Sequence, residues 1–270
     1  MLKTIDDLKI GSVIRFGSYS ADKNDQSPPP IEWYKADQDN RLLSRYCIDY
    51  LVFDTIEHHP ELYWLTPNAD YALSNIHQFL NSEETEWWAS THPSDACPNR
   101  GAQWMSWASY AGHAGFLSLF ESAELNSIEE VVLQNNIDDS DVLARVWLPS
   151  AADISSLPLF KTVGVRARMT NETYKKAQYN LSNLYADSFC PFWLRDSRTE
   201  FLSDRVLVLG RNAHITHESP HNGCGVRPLI KLAADTKVVP DGSGYTVVGR
   251  GKNVPAIPTD ESLFSFLGLV

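Results

Sequence analysis

Residues 189–232 read FCPFWLRDSRTEFLSDRVLVLGRNAHITHESPHNGCGVRPLIKL. Two stiff segments bracket this stretch. Phe192, Trp193 and Leu194 are apolar and lead into one charge, Arg195; Gly225, Val226, Arg227, Pro228, Leu229 and Ile230 close the interval in the same manner. Between them, residues 204–209 (DRVLVL) read as a strand that ends at Gly210, Arg211 and Asn212, a turn signal. The remaining residues, 196–203 and 211–222, are polar and without period. The pattern predicts a small antiparallel sheet holding two irregular loops. Arg195 and Arg227, the charges inside the stiff segments, need hydrogen-bonded partners, because an isolated buried charge is costly.

Loops carried on a rigid scaffold are where binding residues usually sit. Ligand contact is therefore expected from Asp196, Arg198 and Glu200 in the loop 196–203. In the loop 211–223 it is expected from Arg211, Asn212, His214, His217, Glu218, His221 and Asn222. These side chains make directional hydrogen bonds and none of them is needed to fill a core.

Outward from this stretch, residues 12–19, 31–36 and 41–47 read as three strands joined by polar turns, an N-terminal meander of the main sheet. Residues 70–81 have Leu73, Ile76 and Leu80 at helical spacing, with His77 beside that stripe. Residues 122–134 are expected to begin as a helix capped by Ser122, with Leu125 and Ile128 facing inward. Residues 142–148 read as a strand, and Ser150 with Asp153 forms a capping box that opens a short helix. Residues 170–183 are expected to be partly helical. Residues 83–113 hold Trp87, Trp88, Trp104 and Trp107 among prolines and glycines, an irregular excursion of the kind that is functional or packed over a core.

The chain has 270 residues, 43% of them hydrophobic, enough for a substantial core. Its 23 basic and 34 acidic residues give a net charge of −11. That charge opposes a nucleic-acid or anionic-membrane partner, since both select a positive surface. No apolar run has the length of a membrane span and none follows Met1 as a signal peptide would. The expected location is the cytoplasm, or a particle assembled there. Cys47, Cys97, Cys190 and Cys224 lack CxxC spacing, so buried reduced thiols are expected. Cys190 and Cys224 become neighbours if their two segments pair.

Several chemistries fail on residue type. His217-Glu218-Ser219-Pro220-His221 matches the zinc-protease pattern, but that chemistry needs a helix and Pro220 breaks one. A loop site built from His214, His217, His221 and Cys224 is conceivable, yet solvent-facing histidines suit the pattern better. Asp138, Asp139 and Asp141 lack the glycine and distant glutamate of a calcium loop. Gly244 to Arg250 has the glycines of a phosphate loop without its Lys-Ser/Thr pair. No metal, cofactor or catalytic set is therefore expected.

The ordered pattern of WLR, a strand, a Gly-Asn turn, a polar loop and GVRP resembles an uncharacterised domain family of bacteria and their prophages. The resemblance continues through Lys9 to Tyr19 and Pro30 to Trp33, through Tyr71 to Ile76 with Phe79 to Asn81, and through Ala114 to Leu117. It ends at Asp235 to Lys237 and Gly244 to Val248. It implies a C-type-lectin-like α+β fold, related to formylglycine-generating enzymes, with an antiparallel sheet, flanking helices and long loops. The expected organisation is one domain over residues 1–250 and an apolar docking tail over 251–270, the tail serving a homo-oligomer. The expected function is a non-enzymatic, lectin-like module that contacts a protein or glycan, in a phage or prophage particle. The alternative implied by the same resemblance is an oxidoreductase of the formylglycine-generating type using Cys190 and Cys224.

Overall fold

The computed structural model describes residues 2–55, 69–88, 108, 110, 112–177, 188–198 and 205–250. Within them the chain is α+β, mostly sheet with short helices. A large sheet has eight strands in the order Lys3–Thr4, Thr236–Asp241, Gly244–Arg250, Val13–Ser18, Pro30–Lys35, Arg41–Ser44, Leu229–Lys231 and Val146–Trp147. Its pairings are antiparallel except that of Gly244–Arg250 with Val13–Ser18. The N-terminal meander is thus present: Val13–Ser18 is one residue shorter at each end than expected, Pro30–Lys35 is shifted by one, and Arg41–Ser44 stops three residues early. Alternation explains it: Ile14, Phe16, Ile31 and Trp33 are buried. The Trp33 indole donates to Phe16 O at 2.8 Å and ties the first hairpin together.

The smaller sheet has five strands in the order Ile215–Glu218, Val206–Leu209, Phe192–Ser197, Gly223–Val226 and Asp49–Val52. It contains the decisive stretch and departs from the expected antiparallel arrangement in one pairing. Phe192–Ser197 lies between two neighbours, antiparallel to Val206–Leu209 and parallel to Gly223–Val226, with Phe192 opposite Gly225. Phe192, Trp193 and Leu194 are all fully buried, because both faces of this central strand are covered. Trp193 packs edge-on against Phe53 and donates its indole N–H to Leu51 O at 2.8 Å.

The closing segment is two strands rather than one. Gly223–Val226 belongs to the smaller sheet and Leu229–Lys231 to the large one, so the chain changes sheets at Arg227 and Pro228. Arg41–Ser44 and Asp49–Val52 make the same crossing in antiparallel register, pairing Leu43 with Leu229 and Tyr50 with Gly225. Pro228 has no N–H to leave unpaired at the corner, and its carbonyl accepts from Ser44 N at 3.0 Å. This double crossing joins both sheets to one hydrophobic core.

Three other segments differ from expectation. Residues 70–81 open as a 3-10 turn, Tyr71–Leu73, and become α-helix only at Asn75–Asn81. Asp70 and Ser74 each cap a start, so the chain bends between them, and Leu73 is turned out with 53% exposure. The helix at Ser122–Leu125 is one turn, with Glu121 rather than Ser122 at its N-cap position. Val131–Gln134 then forms a hairpin with Asp141–Ala144, as its β-branched residues favour. The expected strand over 142–148 is split at Arg145, because Asn81 Oδ1 takes the Arg145 and Val146 N–H groups. The capping box at Ser150 is present and opens the helix Ala151–Ser156. The helix Asn171–Ala177 fills the described part of residues 170–183. Trp87 is buried against Phe79 and Tyr110; Trp104, Trp107, Cys97 and the tail 251–270 lie outside the described residues.

Candidate ligand-binding site

Residues 211–223 are not one irregular loop. Ile215–Glu218 is a strand at the edge of the smaller sheet, paired from Leu209–Ile215 to Val206–Glu218. Its polar sequence gives no strand signal alone; the apolar partner Val206–Leu209 imposes the conformation. The connecting turn closes through Gly210 N to His214 O at 2.9 Å and Ala213 N to Gly210 O at 3.0 Å. Asn212 Oδ1 accepts from His214 N at 3.2 Å, which fixes the tip from inside. The left-handed position falls on Ala213 (φ 65°), not on the glycine.

One side of this hairpin closes the core through Val206 and Val208, while Asn212, His214, Ile215 and Thr216 are exposed. The first expected loop meets it at its base. Asp196 and Ser197 belong to the strand Phe192–Ser197, and Arg198 N still donates to Arg205 O at 2.8 Å, so the loop is shorter than expected. Arg198 Nη1 reaches His217 Nε2 at 2.9 Å; a guanidinium only donates, so that imidazole nitrogen accepts. Beyond the strand, Asn222 Nδ2 donates to Glu218 Oε2 at 2.9 Å and Ser219 Oγ lies 2.9 Å from His221 Nδ1. Burial, with Arg205 nearby, lowers the His221 pKa, which keeps that ring neutral at pH 7.

Arg198 with His217, Glu218 with Asn222, and His221 with Ser219 thus form three half-buried polar pairs along the strand and the turn after it, with Arg211, Asn212 and His214 at the tip. Asp196 is set apart from them. It accepts from Ala151 N at the start of the helix Ala151–Ser156, and burial raises its carboxyl pKa against that bond and Arg195. Glu200 and the rest of residues 199–204 lie outside the described residues. Pro220 is buried, and its carbonyl accepts from Phe53 N at 2.8 Å and Asp54 N at 3.1 Å. His217-Glu218-Ser219-Pro220-His221 is therefore strand followed by an anchored turn, and its histidines share no helix face. Among the described residues no three His, Cys, Asp or Glu side chains converge as metal ligands.

Cys190 and Cys224 are brought close by the parallel pairing, with Cys47 as a third buried thiol. Burial raises the pKa of Cys190 and of Cys224. A protonated, enclosed thiol is a poor nucleophile. The two arginines of the stiff segments do find partners: Arg195 donates to Gln134 O and Arg227 to Ser44 O and Val165 O.

Sequence reasoning missed two polar clusters. One is a buried network in which Asp49 accepts from the Tyr19 hydroxyl, from Lys176 Nζ at 2.8 Å and from Tyr50 N at 2.6 Å. Burial pushes the Asp49 carboxyl up, but Lys176, His113 and the hydrogen bonds outweigh it and the net shift is downward. The other is an arginine cleft between Tyr34 and Phe189. Each draws on segments far apart in the chain, so neither leaves a local motif.

A family model described as "Domain of unknown function (DUF6273)" matches residues 38–234, and the chain belongs to that family. The match spans both crossing segments and the whole hairpin. No curated protein and no solved structure matches the chain.

Proposed function

We propose that this family member is a non-enzymatic ligand-binding module whose α+β body is C-type-lectin-like. It contacts a protein or glycan through the hairpin Val206–Leu209/Ile215–Glu218 and its flanks. One observation carries the reading: a core-anchored hairpin carries Arg211, Asn212 and His214 at its tip, the last two exposed, and the half-buried Arg198–His217 pair at its base. Rotamers held by mutual hydrogen bonds lose less entropy on binding than free side chains do. The enclosed, protonated thiols favour this reading over an oxidoreductase that would use Cys190 and Cys224. We place the module in the cytoplasm or in a phage or prophage particle, without nucleic acid or membrane as partner. Among the described residues no helix is long and apolar enough to cross a membrane.

The test is an array of glycans and cell-surface proteins probed with the purified chain, followed by a hydrogen-exchange footprint on any specific binder. Protection confined to residues 205–222 and Arg198 is the expected result. A binder whose footprint leaves the hairpin unprotected contradicts the assignment.

A further inference from the structure

A second site shares no residue with the hairpin. A cleft of about 250 Å³ is lined by Arg45, Arg166, Arg168 and Arg227. Its rings are Tyr34, Tyr46 and Phe189, and it has no carboxylate in its lining. In a chain with eleven more acidic than basic residues (34 against 23), four cations in one cleft is a local reversal of sign. The volume is below the usual drug-sized range and suits one phosphate, one sulfate or one acidic sugar ring.

The counter-charges do not cancel. Arg45 pairs with Glu32 at 2.9 Å, but Glu32 also serves Arg15 at 3.4 Å. Arg166 and Arg168 are exposed, and among the described residues no carboxylate lies within ion-pair distance of either. Arg227 is 1% exposed and is held by two main-chain carbonyls, Ser44 O at 3.0 Å from Nε and Val165 O at 2.8 Å from Nη1. Its Nη2 amino group makes no hydrogen bond among the described residues. Burial lowers its pKa to about 10, which still leaves it charged at neutral pH.

Aromatic rings flank the guanidinium groups. Arg166 stands 4.0 Å over the Phe189 ring and Arg168 5.9 Å from it, and Arg168 and Phe189 are cross-strand partners. Arg45 lies 5.7 Å from the Tyr34 ring and 5.2 Å from the Tyr46 ring, and Arg227 sits 5.2 Å from Phe192. A guanidinium beside an aromatic ring keeps its charge and its donors, so its fork can still bind an oxyanion.

We propose that this cleft binds the oxyanion of a small ligand (phosphate, sulfate or carboxylate), with Arg166 and Arg168 as its ligating forks and Arg227 at its buried end. The rings of Tyr34, Tyr46 and Phe189 form the wall against which a sugar-sized body would lie.

The experiment is calorimetric titration of the full chain at low salt with inorganic phosphate, inorganic sulfate, glucose 6-phosphate, glucuronate and neutral glucose. At least one anion should saturate with a Kd of about 1 mM or tighter, while glucose does not. A phosphate, sulfate or carboxylate preference identifies the source of the oxyanion. The double variant Arg166→Gln/Arg168→Gln should weaken that binding about tenfold or more. Removing the same charge elsewhere, with Lys175→Gln/Arg250→Gln, should leave it within about twofold, because neither side chain lines the cleft. Arg166→Lys keeps the charge, loses the fork and should fall between the two. Failure of every anion to saturate the wild-type chain overturns the proposal. So does equal weakening by both double variants, which would reduce the effect to net charge, or binding of glucose as tight as that of the anions.

Discussion

At the scale of single residues, Gly225 is closely enclosed. A methyl group there would stand 2.7 Å from Cys190 Sγ, 2.8 Å from Cys47 Sγ and 2.9 Å from Pro191 O. The parallel pairing of Phe192 with Gly225 brings the strands this close, and the Cys47 and Cys190 thiols fill the space that a side chain would take. Gly225→Ala should therefore destabilise the chain by about 1–3 kcal/mol. Urea denaturation would report it as a lower midpoint at unchanged slope; an unchanged midpoint would show that the thiols can move aside.

His77 and His113 are held neutral for a simple reason. Burial lowers each to a pKa of about 4 from the usual 6.5. Between pH 6.5 and 4 the unfolded chain binds protons that the folded chain refuses, so stability is full above 6.5 and falls as pH falls. From pH 7 to pH 5 the loss should be roughly 2 kcal/mol for each histidine, and His77→Gln should reduce the pH dependence by about half. A stability profile that is flat between pH 7 and 5 would contradict this account of both rings.

At the scale of elements, the helix Ala151–Ser156 is fixed from two directions. Ser150 and Asp153 exchange capping hydrogen bonds, and Asp196 reaches across from the smaller sheet to Ala151 N. Ser150→Ala should cost about 1 kcal/mol. Asp196→Asn should cost a similar amount, because a charge-assisted bond becomes a neutral one. Neither change should alter ligand affinity, since Asp196 faces the helix and not the hairpin. Thermal melting and a binding titration on the same samples check both halves of the statement; loss of affinity at unchanged Tm for Asp196→Asn would return it to the ligand surface.

Elements with local signals were readable from the sequence. The strands Val13–Ser18 and Pro30–Lys35 follow from alternation, and the cap at Ser150 from residues three apart. Elements defined by a partner were not. Ile215–Glu218 is a strand because Val206–Leu209 lies beside it, and Val131–Gln134 because Asp141–Ala144 turns back onto it. The charge of Asp196 suggests a loop, whereas it lies at the end of a strand with its carboxylate facing the start of a helix.

At the scale of the molecule, the organising feature is the double crossing between sheets at Arg41–Ser44/Asp49–Val52 and Gly223–Val226/Leu229–Lys231. Both flanks of the decisive stretch were visible as apolar runs, but that they serve different sheets was not, since a corner and a continuous strand share the same composition. That residues 211–222 lie largely outside the core was visible from their polarity, but that Ile215–Glu218 is a strand was not. The arginine cleft was invisible because Arg45, Arg166 and Arg227 come from separate segments joined only by folding.

The central claim is that scaffold and contact surface are separate sets of residues. The direct measurement is a paired scan of unfolding free energy and ligand affinity over Arg211→Ala, His214→Ala and Trp193→Ala. The two hairpin changes should stay within about 0.5 kcal/mol of wild-type stability and cost about 1 kcal/mol or more in binding. Trp193→Ala should cost roughly 3 kcal/mol or more of stability, because its ring is fully enclosed and its indole N–H is bonded. Hairpin substitutions that unfold the chain, together with a Trp193→Ala that folds normally and only binds less well, would reverse the two assignments.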